Sequence, residues 1–105
     1  MSGRLGAYDL AVTTETIIYT CPSSKLASVN VNICNRNGTD AIVRLGFLEG
    51  SLPLSNEDYI EYDFTIAANE SLEKRGIVLI ETQSLAVYSD IANVTAQVWG
   101  IEEDI

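Results

Sequence analysis

The chain has no histidine, only two cysteines and two prolines, and few bases. Each shortage excludes something. Without histidine there is no Ser-His-Asp or Cys-His nucleophile and no His-rich metal site. Cys21 and Cys34 are a single pair, and Met-Ser-Gly-Arg-Leu-Gly at the start lacks an apolar signal core. Two free structural thiols and no export are therefore expected. No stretch approaches the ~18 consecutive apolar residues of a membrane helix, so no membrane partner is expected. Six Lys and Arg face 15 Asp and Glu, for a net charge of −9. The bases Arg4, Lys25, Arg36, Arg44, Lys74 and Arg75 are scattered, which argues against a nucleic-acid-binding face. The acidity reads as solubility and as repulsion between copies.

What the chain does have is apolar residues at period two. Its 105 residues, 47% of them apolar, suit one domain spanning 1–105 with a core of its own. In 27–33, Ala27, Val29, Val31 and Ile33 alternate with Ser28, Asn30 and Asn32, the pattern of a half-buried strand. Ala41, Val43, Leu45 and Phe47 repeat it. Asn37-Gly38 lies between, and both residues tolerate the positive φ of tight turns, so a hairpin or meander step is expected there. TIIYT at 16–20, YIEYDFTI at 59–66, IVLI at 77–80, LAVYS at 85–89 and the alternation from Val94 to Ile101 complete the set. In YIEYDFTI the spacing predicts Ile60, Tyr62, Phe64 and Ile66 on the core side. IVLI has the length of a buried strand. NESLEKR at 69–75 allows a turn or two of helix, or a strand with a glycine bulge at Gly76. Seven or eight short strands between turn signals predict an all-β fold, an antiparallel β-sandwich or jelly roll. Residues 1–12 could be an N-terminal arm or the first strand, and Glu102-Glu103-Asp104 reads as a solvated tail.

Candidate sites are few. Glu57, Asp58, Glu61 and Asp63 form the densest acidic group, and on a regular strand Glu61 and Asp63 would share a face at about 6–7 Å. No glycine-rich loop or partner motif accompanies them, so a solvated strand face is the simpler reading. No catalytic residue, metal ligand or cofactor site is expected, and the chain does not read as an enzyme. Asn37-Gly38-Thr39, Asn69-Glu70-Ser71 and Asn93-Val94-Thr95 match the glycan acceptor pattern, but read as turn chemistry. Among the aromatics, Tyr59 and Trp99 fall on polar strand faces, which makes them interface candidates. Ser28, Asn30 and Asn32 make a small, uncharged outward row that does not resist a neighbouring chain. Arg4, Leu5 and Tyr8 in the N-terminal segment complete the candidate interface.

The order of segments carries a resemblance. It runs YTCP at 19–22, SVNVNICN at 28–35, IVRLGF at 42–47, DYIEYD at 58–63, ANESLEKRGIVL at 68–79, LAVYSD at 85–90 and NVTAQVWGIEE at 93–103. This resembles a group of small virion structural proteins of tailed phages of aquatic bacteria, over nearly the whole chain. The resemblance implies a virion component, most plausibly a capsid decoration or cement protein. It would be made in the host cytoplasm and bound to the major capsid protein, as a homotrimer at local threefold positions. A neck, baseplate or tail-fibre component is the nearest alternative. A carbohydrate-binding module using Tyr59 or Trp99 is a further one, since exposed aromatics stack on sugars.

Overall fold

The computed structural model describes residues 2–105, with side chains from residue 3 onward. Eight strands and one 3-10 turn are arranged along the chain: β1 (Ser2–Asp9), β2 (Thr16–Thr20), β3 (Lys25–Asn35), β4 (Ala41–Leu48), the 3-10 turn (Asn56–Asp58), β5 (Tyr59–Ile66), β6 (Ser71–Ile80), β7 (Ser84–Ser89) and β8 (Val94–Asp104). They form two four-stranded antiparallel sheets packed as a sandwich. Sheet A has the order β1-β8-β3-β6 and sheet B the order β2-β7-β4-β5. First therefore pairs with last, second with seventh, third with sixth and fourth with fifth, which is the pairing of a jelly roll.

The core lies where the alternation puts it. Ala27, Val29, Val31 and Ile33 of β3 face Ala41, Val43 and Leu45 of β4 across the sandwich, and all are buried. Val94, Ala96 and Val98 of β8 and Leu85 and Val87 of β7 complete it. Phe47 is only partly buried against this cluster.

Several expectations change. β3 and β4 belong to different sheets, so the Asn37-Gly38 segment crosses the sandwich and is no hairpin. Period two encodes which side of a strand is buried, not which sheet the strand joins. The first residues are a strand, since Ser2–Asp9 pairs along β8 from Ile101 to Thr95. Gly3 and Gly6 interrupt the alternation there and hide it. The chain's end is not a loose tail: β8 runs to Asp104 beside β3, and Lys25 forms an ion pair with Asp104. Residues 71–80 are strand with a bulge. Arg75 and Gly76 together oppose Asn30, Gly76 takes φ 71°, and its N–H donates to Asn30 Oδ1 at 3.1 Å.

β5 departs furthest from its alternation. Its register against β4 slips between Val43 and Leu45 and again between Leu45 and Gly46, and Asp63 takes φ 51°. Each slip turns the residues beyond it to the opposite face. Tyr62, expected in the core, is 58% exposed, and Ile60 is exposed as well; Phe64, opposite the core-facing Val43 before the first slip, is exposed at the edge of the sheet. Only Ile66 of the expected inward set is buried.

One end of the sandwich is fastened by asparagines. Asn35 is fully buried at the end of β3. Its Nδ2 donates to the carbonyls of Thr39 (2.8 Å) and Ile66 (3.0 Å), and its Oδ1 accepts from Asn37 N and Nδ2, both at 3.0 Å. Asn37 Nδ2 also donates to Ala92 O at 2.7 Å, and Asn69 N donates to Asn37 O at 3.1 Å. Asn69 and Asn93 both take φ 62°, the left-handed conformation asparagine tolerates. Three turns are thus joined by the residues of the three Asn-x-Ser/Thr triplets.

Candidate interaction surfaces

The sheet registers define two outer faces. On sheet A, Ser28 of β3 lies between Ile101 of β8 and Val78 of β6, and Leu26 lies between Glu103 and Ile80. One level further along, Asn30 lies beside Trp99, which lies beside Arg4 of β1. Asn32 with Gln97, and Cys34 with Thr95, continue the face as a polar half. Val78 is 53%, Ile80 50% and Ile101 53% exposed. This half of the face is an exposed apolar patch of the kind that marks contact surfaces.

Five of the candidate interface residues, Arg4, Ser28, Asn30, Asn32 and Trp99, thus meet on one surface. The other three do not join them. Leu5 sits at a register break in β1 and packs against the core. Tyr8 pairs with the core-facing Ala96 and overhangs the sandwich edge, exposed. Tyr59 belongs to sheet B. Val78 and Ile80 were hidden in the sequence because IVLI resembles a strand buried on both sides; only Leu79 is fully buried.

Part of sheet B's outer face is covered, while Ile17 and Ile42 on the same face stay exposed. The segment between β4 and β5 folds back over it, and Leu54 packs on Leu48 and Ala86, with Leu52 and Tyr59 around them. Gly46 makes room: a Cβ at this position would lie 2.5 Å from Leu54 Cδ2. Leu54 N donates to Glu15 Oε1 at 3.1 Å and Ser55 N to Asp58 Oδ2 at 2.8 Å, while Gln83 Nε2 donates to Glu49 Oε2 at 2.7 Å at the segment's start. Beside this lid an aromatic cluster stays accessible. The Arg44 guanidinium lies 4.4 Å from the centre of the Tyr62 ring and 4.8 Å from that of Tyr88. Tyr59 meets Tyr62 edge-on at 4.8 Å, and Arg44 Nε donates to Asp63 at 2.6 Å. That hydrogen bond raises the Arg44 pKa further, partly opposed by burial, so the charge is permanent. Tyrosine and arginine are the residue types that dominate binding energy at interfaces.

The acidic group does not form a paired-carboxylate site. The slip in β5 sends Asp63 outward to Arg44, while Glu61 opposes the core-facing Leu45 and forms an ion pair with Lys74 of β6. Among the described residues no group of three or more Cys, Asp or Glu is placed to hold a metal ion. Cys21 and Cys34 are unpaired. Burial raises the Cys21 pKa, with the charge of Glu102 adding to it, so this thiol is a poor nucleophile. Burial also raises the Tyr19 pKa, as does its hydrogen bond to Glu102 Oε2 at 2.5 Å, which ties sheet B to sheet A.

Comparison with protein-family models, with curated proteins and with solved structures finds no match.

Proposed function

We propose that the protein is a structural component of a bacteriophage virion, a capsid decoration or cement protein that binds and stabilises the lattice of the major capsid protein. The order of sequence motifs supports the virion setting. The observation that carries a binding role is the accessible Arg44, Tyr59, Tyr62 and Tyr88 cluster beside a fastened lid. Such a surface is rigid before contact, so little side-chain freedom is lost on docking. In this reading the cluster meets the capsid protein after synthesis in the host cytoplasm, and the homotrimer at local threefold positions comes from the resemblance.

The test is the ratio of this protein to the major capsid protein in purified virions, measured by quantitative mass spectrometry. A near-stoichiometric ratio supports decoration. A few copies per particle would move the protein to the neck, baseplate or tail fibre, and complete absence would overturn the virion reading. Particles assembled without it should also lose thermal or osmotic resistance. The carbohydrate-binding reading ranks behind, because Arg44 already lies against the Tyr62 and Tyr88 rings that a sugar would stack on.

A further inference from the structure

From the charge and register of sheet A's outer face, we infer that this face pairs with the same face of a second copy, about a twofold axis parallel to the strands. The inference stands on the isolated chain and does not depend on the virion reading; for the isolated chain it replaces the homotrimer that the resemblance implies with a dimer.

Charge is the first observation. The chain carries −9, so most approaches between copies are repulsive. The middle of this face carries no charge, and the ionisable groups at its rim balance. Arg4 and Arg75 offset Glu73 and Glu103, and Asp9 is already bonded to Arg36 at 2.9 Å. Two copies can meet here with the uncharged middle of the face in contact, and the one approach of like charges, Arg4 to Arg75 at the rim, is offset by Glu73.

Shape is the second. The two central strands differ in bulk at the same levels: β8 presents Ile101 and Trp99, while β3 presents Ser28 and Asn30. An axis along the strands, midway between β3 and β8, lays β8 of one copy on β3 of the other. Ile101 then meets Ser28 and Trp99 meets Asn30, each contact made twice, as a twofold interface requires. The same operation lays β1 on β6 and brings Arg4 to the level of Arg75 and Gly76, where Arg75 is already paired with Glu73 at 2.9 Å. It keeps the apolar half of one face on the apolar half of the other. An axis across the strands at the level of Asn30 would set Ile101 against Gln97 and Val78 against Glu73.

Area is the third. Four strands spaced ~4.8 Å apart, about eight residues long at ~3.3 Å each, give a face of about 500 Å². Two such faces bury about 1,000 Å², the threshold for a specific interface, which implies a weak, concentration-dependent dimer.

The edges direct contact to the faces. β5 and β6, the edge strands at one side of the sandwich, are both bulged, and the ion pair Glu61–Lys74 turns charges inward between them. These are features that oppose strand addition at an edge.

Sedimentation equilibrium of the purified chain across a concentration series tests the inference, read together with the emission of Trp99, the only tryptophan. A monomer–dimer equilibrium is expected, with Trp99 emission shifting to the blue as dimer forms. Ile101→Glu and Val78→Glu should each weaken the dimer about tenfold or more, because each places two like charges in one interface. Val12→Glu, at an exposed position in the β1–β2 loop, should leave it intact. A monomer at every concentration would overturn the inference. So would a trimer, or a dimer that both face variants leave unchanged with Trp99 emission constant. Melting curves of the variants separate lost pairing from lost folding. Virion copy number is a separate readout, so either proposal can fail alone.

Discussion

The two outer faces come from the same kind of sheet but differ in what lies over them. Sheet B carries its cover in its own chain: the β4–β5 segment sets Leu54 over Gly46, Leu48 and Ala86. Sheet A has no such segment, and Val78, Ile80 and Ile101 remain exposed. The difference comes from connectivity. Among the described strands, β4 and β5 are the only consecutive ones that pair with each other, and their connection folds over its own sheet, where Leu52 and Leu54 make it a lid. The other connections pass between sheets and leave the faces bare. Sheet B keeps Ile17 and Ile42 exposed beyond the lid, whereas the exposed apolar residues of sheet A lie together on one half of its face.

The strongest way to break this contrast is to loosen the end that holds both sheets. Asn35→Ala removes a buried side chain with four strong hydrogen bonds and leaves several partners unpaired. It should cost about 3 kcal/mol, read from urea unfolding, and expose both faces to a hydrophobic dye. Next, Leu54→Ala should cost about 2–3 kcal/mol and increase dye binding in the folded state, making sheet B resemble sheet A. Val78→Thr on sheet A should change stability by less than about 0.5 kcal/mol, because that face has no cover to lose.

The bond between the two sheets gives a pH test. In the folded protein the Tyr19 pKa is raised above its unfolded value of about 10. Its contribution is complete below about pH 10 and declines as pH rises from there through the folded pKa, because the unfolded chain releases the proton first. Chemical unfolding in the alkaline range should therefore show stability falling with pH, and Tyr19→Phe should flatten that slope. A slope unchanged in Tyr19→Phe would remove Tyr19 as its source.

Much of the fold was legible because the core strands alternate cleanly. Ala27 to Ile33 and Val94 to Val98 carry one apolar residue in two, and the buried residues fall where that pattern puts them. The number of such strands is what pointed to a sandwich. The features that stayed hidden depended on contacts distant in sequence. The bulges of β5 arise in its pairing with β4, and they moved Tyr62 from the expected core to the surface and parted Glu61 from Asp63. The lid was invisible because nothing local in 49–58 says which surface it will cover. Half of the sheet A face was readable in Ser28, Asn30, Asn32 and Trp99. The apolar half, from β6, required the register that places Val78 beside Ser28.

The pairing of first strand with last has a consequence in time. β8 lies between β1 and β3, so sheet A has a gap at its centre until the last strand is in place. A fold built on such distant pairings forms slowly compared with one built on local contacts. During synthesis the core of β3 and β8 cannot close until β8 has left the ribosome. The bulky residues of the pairing face, Trp99 and Ile101, arrive in that same final step. A nascent chain therefore has no finished surface to offer a neighbour, and association is deferred until β8 is in place.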